Sequence, residues 1–177
     1  MIIEEELALV ARAQAGGRDA ISALWDGITP KLYGYLVNTL REPNLAEDIL
    51  QETWLKAISN LPKFRARGVR FSAWLFAIAR NECRQHWRKA GREVAEEINE
   101  ENHQSVLDSP EKGLTEKIFV EGLLKFLPPE DQEMLRLRYV ADLSFKEIAA
   151  ILAIAPITAR VRAHRALTRA RKILKNY

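Results

Sequence analysis

Apolar residues recur along most of this chain at spacings of three and four, and nowhere alternate with period two for long. That is the pattern of amphipathic helices, and it predicts an all-α protein. A first helix is expected over residues 4–15, stopped by Gly16 and Gly17, where glycine accepts a positive φ. A second is expected after Asp19 as N-cap, running to about Leu40 with an adjustment near Pro30. A third should follow Asn44, with Glu47 as capping-box partner, and reach about Leu61. A fourth spans residues 72–89, preceded by Phe71. Phe71, Trp74, Leu75 and Ile78 form its apolar stripe, and Arg80, Arg84 and Arg88 line another face. Residues 91–113 are acidic, with too little apolar surface to offset chain entropy, and read as a flexible linker. Helices near 114–126 and from Pro128-Pro129 to about Tyr139 follow, then a final helix pair. The architecture expected is two small helical domains, 1–90 and 114–177, joined by an acidic flexible linker over 91–113.

The final pair has the marks of a helix-turn-helix. Ser144 and Glu147 make an S-x-x-E capping box that sets the start of its first helix. Ile148 and Leu152 belong to the core, and Ala149 is small enough for a close helix crossing. Pro156 suits the first turn of the second helix, where no backbone N–H is needed. Ala159, Ala163, Ala166 and Ala170 mark a buried face. Arg160, Val161, His164 and Arg165 fall together on an exposed one, which fits a DNA major groove. Arg162, Arg169, Arg171 and Lys172 are suited to phosphate contacts that position without reading sequence.

Charge strengthens this reading. The 177 residues carry a formal charge of only +3, but it is segregated. Residues 1–59 carry −4, residues 60–90 +7, residues 91–117 −5, residues 118–156 −2 and residues 157–177 +7. The last segment holds seven Lys or Arg and no acid. Folding does not require such a helix; a polyanion lying against it does. Two basic blocks separated by acid imply two contact regions on one nucleic acid.

The motifs together resemble a known family. Residues 44–65 (NLAEDILQETWLKAISNLPKFR) and 71–89 (FSAWLFAIARNECRQHWRK) are similar to region two of the extracytoplasmic-function group of bacterial RNA polymerase sigma factors, in the sigma-70 family. Residues 127–171 are similar to its region four. The resemblance implies a subunit that binds core RNA polymerase, directs it to promoter DNA and assists promoter opening. Asp48, Gln51 and Glu52 match the helix that docks on polymerase. Phe64 and Asn81 match the pocket for a flipped base of the downstream element, and residues 63–70 match the specificity loop. Lys63, Arg65, Arg67, Arg80, Arg84 and Arg88 would then follow the melted strand. Thr158, Arg160, Val161, Arg162, His164, Arg165 and Arg169 would meet the upstream element. The linker matches the segment threading the RNA exit channel, where Glu96, Glu97, Glu100 and Glu101 would mimic RNA. Many members of the group are held by an anti-sigma partner, which the resemblance allows here.

Three positions depart from the family pattern. Ala153 stands where a turn glycine is usual, at a cost of about 1 kcal/mol if its φ is positive. Ala155 replaces the usual Ser or Thr N-cap, and Val161 replaces a small polar residue on the reading face.

Other classes fit less well. A dimeric operator-binding regulator would leave the basic block at 60–90 without a role, and no heptad zipper appears. Cys83 and His86 have ligand-like spacing, but one cysteine and three histidines make no four-ligand site. No nucleophile–base pair or phosphate-cradling glycine loop appears, so neither an enzyme nor a cofactor or small-molecule substrate is expected. The single cysteine and the lack of a long apolar run point to the cytoplasm.

Overall fold

The computed structural model describes residues 3–66, 68–97 and 126–175, the side chains of 92–97 excepted. All the regular elements among the described residues are helical: α1 (Ile3–Gln14), α2 (Arg18–Leu40), α3 (Pro43–Asn60), a 3-10 turn (Leu61–Lys63), α4 (Phe71–Glu97), α5 (Pro129–Leu135), a π-helical turn (Arg136–Val140), α6 (Phe145–Leu152) and α7 (Pro156–Lys175). The expected helix near 114–126 lies outside the described residues, apart from Phe126 in a turn.

Two caps differ from expectation. Gly17, not Asp19, is the N-cap of α2, and Asp19 instead pairs with Arg12 across the α1–α2 turn. α3 begins at Pro43, whose fixed φ and missing N–H suit a first helical position. The helix therefore starts before Asn44, and neither Asn44 nor Glu47 caps it. Pro30 lies within a continuous α2. α4 continues past Lys89 to Glu97.

The core of the first part is aromatic. Phe71 at the start of α4 meets Phe64 edge-on at 5.4 Å, Trp74 at 5.4 Å and Trp54 of α3 at 6.3 Å. Tyr35 of α2 meets Phe76 edge-on at 5.5 Å. A buried carboxylate fixes where α4 starts. Glu6 of α1 accepts hydrogen bonds from the Ser72 backbone N–H at 2.6 Å and hydroxyl at 3.0 Å. Charge at a helix N-terminus is thus met by the dipole and by unsatisfied donors.

The hydrophobic core does not stop at the end of α4. Met134, Leu137, Ala141, Leu143, Ile148, Ala149, Ala159 and Ala163 are buried in the same cluster as the residues of α1–α4. A smaller cluster of Leu127, Leu135 and Ala166 lies between α5 and α7. Among the described residues, ion pairs also join the two halves. The Arg70 guanidinium donates to both Glu147 oxygens, at 2.6 and 3.0 Å, and Arg80 to both Glu133 oxygens, at 2.5 and 3.3 Å. Lys31 reaches Asp142 at 3.0 Å.

The helix-turn-helix forms as its sequence predicts. Ser144 and Glu147 make both bonds of the capping box. Ile148 and Ala149 are buried, as are Ala159, Ala163 and Ala166 on α7, while Ala170 is half-buried. Ala153 ends α6 with φ at 54°, in the left-handed region that an alanine occupies at a cost.

Glu147 therefore serves the cap and the junction at once. Burial by itself would raise its pKa, but the Arg70 guanidinium and the Ser144 hydroxyl and N–H outweigh it and hold the carboxyl below its usual range. In urea denaturation, Glu147→Ala and Arg70→Ala should be non-additive, the two single losses together exceeding the double loss by about 1–3 kcal/mol. Because the folded carboxyl titrates low, this coupling should be fully present above its ordinary value of 4.5 and fade as pH falls through the lower folded-state value. Additive losses at neutral pH would show that the pair does not join the halves.

Candidate nucleic-acid and polymerase interfaces

Where α3 ends, the chain turns sharply before entering α4, and the bend opens a cleft of about 780 Å³. Phe64 and Trp74, with ring centroids 4.9 Å apart, form its aromatic floor. Lys56, Asn60, Lys63, Arg65 and Asn81 stand around it. Phe64 is only 7% exposed, since it also packs on Phe71. It is thus a largely covered ring rather than a free platform. Arg65 folds back on its own turn, donating to the carbonyls of Pro62 and Phe64 at 3.0 and 2.8 Å. The cleft joins an apolar floor to amide and cationic groups, as an unstacked base with its phosphate requires. Phe64, Asn81, Lys63 and Arg65 were singled out from the sequence; Lys56, Asn60 and Trp74 were not, because Trp74 reads as core and the resemblance of residues 44–65 assigns no role to Lys56 or Asn60. Arg67 lies outside the described residues.

The α4 arginines separate into two environments. Arg84 and Arg88 are exposed. Arg80 is held by Glu133 of α5 and, with Arg84, Trp87 and Tyr35, borders a second cavity of about 500 Å³ between the halves. Cys83 is buried beside it, and burial pushes its thiol up to about 12, so it stands as a protonated core side chain.

On α7, Arg160, Val161, Arg162, His164 and Arg165 are exposed and Thr158 is half-buried. Arg160 lies 5.7 Å from the centre of the Phe145 ring of α6, which limits where its guanidinium points. Arg169 pairs with Asp131 of α5. On α3, Asp48, Gln51 and Glu52 are exposed along one face. Leu55, 62% exposed, and Ile58, 42% exposed, continue that face. Neither was singled out from the sequence, though a leucine three or four positions after Gln51 and Glu52 is the available signal. Large apolar side chains beside acids on an open helix face suit a partner protein better than solvent. Glu96, Glu97, Glu100 and Glu101 lie outside the residues whose side chains are described.

No group of metal-binding side chains is clustered among the described residues. No described helix is long and apolar enough to cross a membrane.

The family model for Sigma-70 region 2 matches residues 24–93, and that for Sigma-70 region 4 matches residues 120–169. The chain is 32% identical to the RNA polymerase sigma factor CarQ of Myxococcus xanthus, over 92% of this chain and 94% of that protein. It is 36% identical to the ECF RNA polymerase sigma factor SigD of Mycobacterium tuberculosis, over 92% of this chain and 80% of that one. Among solved structures it is similar to the sigma factor RpoE of Bartonella quintana, determined in complex with the anti-sigma factor NepR. That likeness has a TM-score of 0.73 and 27% identity, and it covers 88% of this chain and 96% of that one. Matches to both regions, in order and over nearly the full length, do not favour a dimeric operator-binding regulator. The chain belongs to the extracytoplasmic-function group of the sigma-70 family, the sigma factors that bind core RNA polymerase and direct it to promoters.

Proposed function

We propose that this sigma factor divides its work between units at residues 1–90 and 114–177, and that the cleft beside Phe64 holds one unpaired base of the downstream promoter element. The observation that carries this reading is the cleft itself, in which stacking surface, amides and cations meet at the exit of α3. A base captured there would lie against Trp74 and Phe64, with its hydrogen-bonding edge toward Asn81 or Asn60. Its phosphates would lie near Lys63 and Arg65. Capture offsets part of the few kcal/mol that unstacking costs. Arg84 and Arg88 would extend the cationic track, and α7 would enter the upstream major groove with Arg160, Val161, His164 and Arg165 toward the bases.

Arg70 and Arg80 enter this scheme differently. Both are bound by carboxylates of the other half. For either to meet a phosphate, the halves must part, exchanging one anion for another. The outer face of α3, with Asp48, Gln51, Glu52 and Leu55, is proposed as the polymerase-docking surface. A partner protein of the anti-sigma kind, as seen with the RpoE relative, is proposed for the same family surfaces. The chain would act in the cytoplasm and carry out no bond-making itself; RNA synthesis would belong to the polymerase.

Two measurements test these assignments. Asn81→Ala should reduce permanganate-detected opening about three- to tenfold on the preferred downstream element and hardly at all when the captured base is replaced. Equal losses on both templates would remove Asn81 from base recognition. Leu55→Asp, at an exposed position, should weaken binding to core polymerase at least about tenfold while leaving the melting temperature unchanged. Core binding at wild-type strength would take this face out of the docking surface.

A further inference from the structure

The exposed face of α7 is not uniformly polar. Ile157 is 65% exposed and Val161 41% exposed. They are one turn apart and, at about 100° per residue, point away from the buried Ala159, Ala163 and Ala166. Arg160 and His164 lie to one side of this apolar pair and Arg165 to the other. The two side chains thus occupy the middle of the face that the charge pattern turns toward DNA. α7 holds seven Lys or Arg and no acid, so its occupant is a polyanion rather than an apolar helix or a second copy of this basic surface.

We infer that Ile157 and Val161 read thymine by contact with its C5-methyl group in the major groove of the upstream element. The thymine methyl is the apolar feature that B-DNA displays in that groove, and it distinguishes thymine from every other base. Both residues are β-branched and hold essentially one χ1 rotamer in a helix, so contact sacrifices little side-chain freedom. Arg160, steadied against Phe145, would supply hydrogen bonds to a neighbouring base, with Val161 beside it supplying shape. The upstream element is then expected to contain at least one thymine, on either strand, whose methyl is required. This inference rests on the proposal that α7 reads the upstream element, and the test separates the two.

Holoenzyme assembled from the full chain and core polymerase would be measured on a duplex promoter selected from a library. Thymines of the upstream element would be replaced singly by uracil, which pairs identically and lacks only the methyl. At one or two positions, uracil should lower affinity about fourfold, the equivalent of about 0.8 kcal/mol for one buried methyl. With Val161→Ala or Ile157→Ala, the thymine-to-uracil ratio should fall to about one at the position that residue reads. If scrambling the upstream element abolishes promoter selection but no uracil has any effect, the methyl inference is wrong and the groove assignment stands. If scrambling itself has no effect, the assignment of α7 to the upstream element fails. A variant that weakens thymine and uracil duplexes equally would show that the pair reads no methyl, and one that weakens core polymerase binding would make it a protein contact; either result overturns the inference.

Discussion

A single carboxylate, Glu147, sits where local folding and long-range packing meet. Its oxygens cap the first helix of the helix-turn-helix through Ser144 and receive both arms of Arg70 from the turn before α4. A charge this buried is tolerated because the guanidinium and the cap donors satisfy its lone pairs. The same contact sets α6, and through it α7, against the first half of the molecule. Arg80 with Glu133 and Lys31 with Asp142 lie along the same seam, which also encloses the apolar cluster that the two halves share.

Two cations of that seam come from the block proposed to meet promoter DNA. Arg70 and Arg80 belong to the basic block of residues 60–90, and their partners are acids of the other half. An ion pair of this kind is a poor permanent fastener, since desolvation removes much of its Coulombic gain. It is a good exchangeable one. Phosphates offer the same charge and the same bidentate geometry as the carboxylates they would replace. If polymerase docks on the α3 face as proposed, it shifts the balance only as far as it binds the parted arrangement more tightly than the closed one.

Much of the molecule was legible in its sequence because the signals were local. The alanines of α7 report a 3.6-residue period, and Ala159, Ala163 and Ala166 are buried as that period requires. The S-x-x-E box reports a bond within three residues, and both halves of the bond form. The misplaced α3 cap shows how one local rule overrides another: Pro43 fixes the helix start before Asn44 can cap it. Contacts between residues far apart in the chain left no such mark. Arg70 and Glu147 are 77 residues apart, and Arg80 and Glu133 are 53 apart. A helix face that looks like a free cationic track can therefore be partly occupied by its own chain. The burial of Phe64 is of the same kind, since its ring is claimed by Phe71, which follows the loop.

The most direct measurement is the distance between the halves with and without polymerase. Fluorophores at exposed Ser59 on α3 and exposed Thr168 on α7 would report it by energy transfer, after Cys83 has been replaced to give unique labelling sites. High transfer in the free chain, falling on addition of core enzyme and promoter, is the expected result. Transfer that stays high in a transcriptionally active complex would contradict the exchange of Glu147 and Glu133 for DNA phosphates.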